Sequence, residues 1–298
     1  METQIISPGE FKTSPFKMFI RRLVDKFQPL KIICFAKTEH CSKTEGCFQD
    51  QESSKRCDYC LLMVTETATR IDHQVQDYSN LYYQNGTICI LCHSKEAVLE
   101  AIKANNRFFV TLYSTGQLLY SQNGMSNFDF RTSFIPTESA LKANNHYNHR
   151  LPLAEGFLRG AKECLENDDF NISTFMLHQV VEQCCILLVR VHLAYRSENH
   201  NLMRLLRLCC SFSDRPIKTF LSGCPDDERL FNILIKSYSG SRYGSGFFVA
   251  AEDARNLFTR ITEFTTLTKE MCIAKIEELK HEALLYNQLQ AESEVIVD

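Results

Sequence analysis

In the run Gly240-Ser-Arg242-Tyr243-Gly244-Ser-Gly246 a planar guanidinium, suited to forking onto a phosphate, stands beside an aromatic face on which a base can stack. The three glycines would leave backbone N–H groups open at the start of the helix that follows, an arrangement that attracts anions. The run is not a P-loop, because no Gly-Lys-Ser/Thr follows it. Upstream, His178, Gln179 and Glu182 fall on one helical face, with 178 and 182 one turn apart. Buried polar groups there need partners, either one another or a second surface. His200 is an isolated imidazole whose simplest role is to bond a helix end. These side chains suit the binding of a phosphorylated aromatic ligand better than bond breaking.

A second set of candidates lies near the N-terminus. A short apolar strand, 31–35, runs into Lys37, and after a polar insert, 38–55, a second strand, 58–64, opens on Asp58. Side chains alternate along a strand, so a carboxylate two residues beyond Asp58 would share its face, but that place is held by Cys60. Magnesium binds thiols poorly, and the strand at 87–92 carries no acid at all. Lys37 can still hold a phosphate by charge. The pairs Cys57-x-x-Cys60 and Cys89-x-x-Cys92 have zinc-ligand spacing, but in strands residues three apart face opposite sides and cannot share an ion. His40, Cys41 and Cys47 could complement Cys57 only with a turn pattern the insert lacks. No metal site is expected, and most thiols are read as small buried hydrophobes.

Those residues must be positioned by about two domains' worth of chain, since the protein has 298 residues. Hydrophobic content of 44% and charged content of 23% are those of a folded chain. A net charge of −3 lends no support to a dedicated nucleic-acid binder, so RNA is a partner that charge does not favour. There are 14 cysteines, and the N-terminus lacks a charged-then-apolar leader, which predicts reduced thiols in a cytoplasmic protein. The most apolar stretch, 184–194, is interrupted by Arg190 and His192, so no membrane partner is expected.

The pattern predicts an α+β chain. A loose lead-in covers 1–10. An amphipathic helix at 16–27 ends at Pro29, strands follow at 31–35 and 58–64, and the insert between them reads as a loop. A helix at 70–83, a strand at 87–92, a helix at 95–105 and a helix-plus-edge-strand at 108–120 complete an α/β domain with a small mixed sheet, over 1–124. Residues 125–150 are polar, without a repeated apolar face, and read as a linker. An up-and-down helical bundle occupies 151–298, with helices at 153–166, 173–195 (capped by Asn171 or Ser173), 199–212, 226–238 and 247–289.

Two resemblances attach to these segments. The layout of 16–120 resembles the minimal nucleotidyltransferase domain, in which a strand ending in Gly-Ser precedes one opening on Ser-Asp-x-Asp. Here Ala36-Lys37 stands in place of Gly-Ser and only Asp58 of the carboxylate pair remains, so the resemblance implies a catalytically degenerate domain with Asp58 and Lys37 as vestiges. Magnesium would be its cofactor only if activity survives. The helical half resembles the HEPN (higher-eukaryote-and-prokaryote nucleotide-binding) domain. The resemblance rests on a Gln-x-x-Glu helix (Gln179, Glu182), a His-x-Leu helix (His200, Leu202) and an Arg-Tyr turn (Arg242, Tyr243) in that order.

That second resemblance implies a nucleotide such as ATP or GTP as ligand, with Arg242, Tyr243, Gly244, His178, Gln179, Glu182 and His200 as contacts, and a homodimer paired through the helical half. Many HEPN domains are metal-independent ribonucleases that place histidine after arginine with four to six residues between them, for proton transfer beside phosphate stabilisation. After Arg242 the corresponding positions are Phe247, Phe248 and Val249, and Arg196-x-x-x-His200 is one residue short. The expectation is therefore a non-catalytic nucleotide-binding protein. The alternatives are a divergent metal-dependent nucleotidyltransferase recruiting Asp50, Glu52 or Glu66, and a toxin–antitoxin or scaffold component with vestigial pockets.

Overall fold

The computed structural model describes residues 14–47, 49–68, 71–124, 133–244 and 246–295. The chain divides into two compact units, one ending at Phe134 and the other beginning at Ile135. The lead-in expected at 1–10 and the first part of the expected linker, 125–132, lie outside the described residues.

In the first unit α1 (Pro15–Phe27) starts on a proline that needs no N–H partner and ends where Gln28 turns left-handed. It buries Phe19, Ile20 and Leu23. Strands β1 (Lys31–Gly46) and β2 (Gln49–Thr65) are antiparallel. After α2 (Asp72–Tyr82), β3 (Ile88–Ser94) adds parallel to β2. Helices α3 (Lys95–Lys103) and α4 (Arg107–Thr115) lead to β4 (Gln117–Ser121), antiparallel to β1. Ser94 and Asn106 cap α3 and α4 through bonds to Ala97 N and Phe108 N. The mixed sheet has the order β3-β2-β1-β4. Alternate residues Ile32, Cys34, Tyr59, Leu61, Met63, Ile88 and Ile90 pack against α1 and against Val75 and Tyr83.

The insert 38–55 is not a loop. β1 and β2 continue through it in register from Thr38↔Asp58 to Gly46↔Gln49, as a two-stranded ribbon beyond the reach of β3 and β4. Within it Glu39, His40, Cys41, Glu45, Cys47 and Lys55 are exposed, so burial imposed no apolar residue at these positions. Alternation in hydrophobicity reports burial rather than strand geometry, which is why the pattern was silent.

The second unit is all helical: α5 (Ser139–Glu166), α6 (Phe170–Leu193), α7 (Leu202–Cys209), the single turn α8 (Arg215–Lys218), α9 (Pro225–Tyr243) and α10 (Ala251–Val295). The expected linker is corrected over its second half, since Ser139–Arg150 is the first part of α5. The buried stripe of α5 is narrow and built mostly of alanine (Ala143, Ala154 and Ala161, with Leu151), and Pro152 sits inside the helix, so periodicity understated it. Helix α6 is the centre of the bundle. It is long and apolar enough to span a membrane, but 72% of its most apolar window is buried inside the protein, against α5, α7, α9 and α10. Its apolar surface is used by the core.

Candidate functional site

The two N-terminal candidates, Lys37 and Asp58, are not brought together. In the β1–β2 register Lys37 lies opposite Tyr59 and Thr38 opposite Asp58, so Lys37 and Asp58 point to opposite faces of the sheet. Lys37 pairs with Glu39 and rests 6.0 Å above the Tyr59 ring. Asp58 is engaged in structure: Oδ1 accepts from Thr87 N at 2.6 Å and from Thr87 Oγ1 at 2.9 Å, while Oδ2 meets His40 Nε2 at 3.2 Å. Cys60 and its parallel neighbour Cys89 share the Asp58 face and are buried, whereas Cys57 lies on the other face. Among the described residues no three His, Cys, Asp or Glu side chains gather as metal ligands. The side chains of Asp50 and Glu52 lie outside those described, and Glu66 is exposed.

The helical unit does assemble its candidates. Gly240–Tyr243 is the last turn of α9 rather than a turn between helices, which corrects the glycine-rich anion loop expected from sequence. Gly244 N donates to Gly240 O at 2.9 Å and so closes α9, and α10 begins only at Ala251, so the glycine N–H groups do not head the long helix. Gly240 has a packing role, since a β-carbon there would come within 2.6 Å of the Phe247 ring. Asn171 does not cap α6, nor does Ser173, whose hydroxyl donates to Ala161 O. The Asn171 amide instead donates to Phe247 O at 2.8 Å and accepts from Val249 N at 2.9 Å, and Ser241 Oγ donates to Asn171 O at 2.9 Å. This clamp fixes the end of α9 against the start of α6.

Because α9 is helical through Tyr243, Arg242 lies one turn after Tyr238. Its Nε donates to Tyr238 O at 2.7 Å and its guanidinium carbon lies 4.1 Å over the Tyr238 ring, 5.1 Å from Tyr243 and 5.7 Å from Phe175. The His178 ring also contacts Tyr238, with centroids 5.0 Å apart and the planes tilted by 33°. Arg242 is exposed, and Tyr243 is 80% exposed. The site therefore gathers Arg242 and His178 around Tyr238 and presents the guanidinium and an open tyrosine to solvent. Sequence reading missed Tyr238 and Phe175 as the platform. The signal was the i,i+4 spacing of Tyr238 and Arg242, hidden by ending the helix at 238.

The polar residues of α6 find partners. Gln179 Nε2 lies 3.3 Å from His178 Nδ1, and the buried Glu182 Oε1 meets His200 Nδ1 at 2.9 Å. His200 precedes α7, whose first turn is capped by Asn201 Oδ1, and its side chain is 66% exposed. Glu182 Oε2 is buried without a hydrogen-bond partner. A carboxylate that orients one imidazole nitrogen leaves the other facing out, able to accept or donate at a ligand.

Burial, with Arg242 and His200 adding like charge, lowers the His178 pKa from its usual 6.5 to about 4. The unfolded chain takes up this proton near pH 6.5 while the folded chain resists until about pH 4. The contribution to stability is thus complete above that window and lost as pH falls through it. Urea midpoints measured from pH 7 to pH 4.5 should fall by the equivalent of roughly 2–3 kcal/mol at this residue, and His178→Gln should remove that part of the slope. An unchanged slope in His178→Gln would mean that His178 titrates normally.

Residues 147–271 match the model of the HEPN domain, so the helical unit contains a HEPN domain. The match spans α6, α7 and α9 and with them His178, Gln179, Glu182, His200, Arg242 and Tyr243. No curated protein matches the chain.

Proposed function

We propose that this protein binds a nucleotide, without turning it over, through its HEPN domain. The observation that carries the reading is Arg242: exposed, stacked at 4.1 Å on Tyr238, and outside every described ion pair, it is organised by an aromatic face and a carbonyl and keeps its terminal N–H groups for phosphate. Tyr243 offers the base a stacking surface, and His200, oriented by Glu182, lies on the neighbouring element. The N-terminal unit is proposed to be a nucleotidyltransferase-like domain that has lost its metal site. The use of Asp58 to hold Thr87, the thiol at Cys60 and the absence of an acid on Ile88–Ser94 support this. Pairing of two copies through the helical unit is part of the proposal and is checked by sedimentation.

A melting panel with ATP, GTP, UTP and CTP at millimolar concentration tests the ligand. A nucleotide present at about 100 times its Kd should stabilise the folded protein by about 2.7 kcal/mol, a shift of several degrees. Arg242→Ala should abolish the shift without lowering the melting temperature of the free protein. Equal shifts in wild type and Arg242→Ala would eliminate the proposed contact, and no shift with any nucleotide would eliminate the function.

A further inference from the structure

A second polar cluster lies on the α5–α6 seam. The two helices run antiparallel, so that Arg150 meets Gln183 and His146 meets Arg190. Arg150 Nη1 donates to Gln183 Oε1 at 2.6 Å, and Arg190 Nε donates to His146 Nε2 at 2.9 Å. Guanidinium groups only donate, so the nitrogen that accepts from Arg190 carries no proton and His146 is neutral. Both half-buried arginines are therefore held by neutral acceptors. Arg196, just past the end of α6, and His149, on α5, are exposed. None of the described ion pairs includes Arg150, Arg190 or Arg196.

Partly buried charge is normally paired, because desolvation without an opposite charge is costly. Here burial, then Arg196 and Arg150, lower the Arg190 pKa, and burial, then Arg190, Arg150 and His149, lower that of His146. Every one of those causes disfavours positive charge, and no carboxylate opposes them. A purely structural seam would gain by replacing Arg190 with an uncharged residue. The arrangement becomes favourable when an anion with two or more charges sits between the guanidiniums, whose planar forks match phosphate oxygens.

We infer that Arg150, Arg190 and Arg196, with His146 and His149, form a binding site for a multiply charged phosphate group, separate from the Arg242 stack. Gln183 and His146 hold the two inner arginines in place, and Arg196 closes on the ligand from the end of α6. The ligand is either a free oligophosphate or the phosphate tail of a larger molecule.

Calorimetric titration of the full-length protein with pyrophosphate, tripolyphosphate, ATP and adenosine, at constant ionic strength set with chloride, tests the site. Pyrophosphate or tripolyphosphate should bind wild type, and Arg190→Gln and Arg150→Gln should each weaken that binding by about tenfold or more. The exposed Arg196→Gln, which carries no folding risk, should weaken it in the same direction, and Arg242→Ala should leave pyrophosphate binding unchanged. Unliganded Arg190→Gln should melt no lower than wild type, because it removes repulsion. If the arginine variants weaken ATP by the same factor, the ligand is a phosphate tail; if they weaken only the inorganic anions, it is a free oligophosphate. Absence of pyrophosphate and tripolyphosphate binding at millimolar concentration overturns the inference, as does equal affinity in Arg150→Gln and Arg196→Gln or a marked drop in melting temperature of free Arg190→Gln.

Discussion

Gly86→Ala should melt the N-terminal unit roughly 10 °C lower than wild type, a cost of roughly 3 kcal/mol or more. Gly86 has φ +136°, a conformation that side chains rarely adopt, and an added β-carbon would lie 2.0 Å from Cys57 O and 3.0 Å from Asp58 Oδ1. Neither neighbour can yield. Cys57 is a rung of β2, its N–H donating to Asn85 O at 2.8 Å, and Tyr83 Oη donates to Cys57 O at 3.1 Å. The close approach at Gly86 is what brings Thr87 N–H and O–H onto Asp58. The same geometry gives Asp58 a structural reason to exist. Asp58→Asn keeps an oxygen for both Thr87 bonds and should cost little, whereas Asp58→Ala leaves the Thr87 N–H unsatisfied at about 1–3 kcal/mol. Scanning calorimetry on the four proteins separates these cases. Wild-type-like melting of Gly86→Ala would mean that the 84–87 connection relaxes freely and that Asp58 is not held by it.

In the helical unit the largest effect is expected at Asp227. This side chain is 2% exposed at the start of α9 and accepts from Ser222 N and Ser222 Oγ at 2.7 Å each, and from Arg260 Nη1 of α10 at 2.7 Å. Burial alone would raise its pKa, but the bonds from Ser222 and Arg260 outweigh burial and hold it at about 2. Its folded pKa therefore lies below the usual carboxylate value. Its stabilisation is present at neutral pH, complete above the unfolded pKa, and lost only as pH falls through about 2. Asp227→Ala strands the partly buried Arg260 and the Ser222 donors and should cost about 3 kcal/mol. The denaturant midpoint should fall with an unchanged slope. Asp227→Asn keeps acceptors for Ser222 but not the charge opposite Arg260, and should fall between the two. Equal midpoints for wild type and Asp227→Ala would mean that α9 and α10 do not depend on this junction. In the neighbouring Arg229–Asp226–Asp253 cluster Arg229 and Asp226 are exposed, and it should contribute less.

The division between what was legible and what was not follows from what each signal measures. Helix α1, the strands 31–35 and 58–64, β3 and the long helices were legible because each buries an apolar face at its own period. The ribbon of β1 and β2 was not, because exposed positions such as Glu39, His40, Cys41 and Lys55 carry no such period. The start of α5 was obscured for a related reason: alanine fills most of its buried stripe, and polar residues hold the rest of the surface.

The candidate site shows the same limit. Residue types alone identified Arg242, Tyr243, His178, Glu182 and His200 as the polar members, since a fork, an aromatic ring and titratable groups are recognisable wherever they stand. Tertiary structure decided that Arg242 stacks on Tyr238 rather than crowning a glycine loop, and that Glu182 orients His200. It also decided that Lys37 and Asp58 never share a face. A sequence fixes chemistry by residue identity and faces by local period, but which faces meet depends on where helices end and strands register. Those are settled by packing: the Asn171 clamp on the end of α9, and the one-residue offset that puts Lys37 opposite Tyr59.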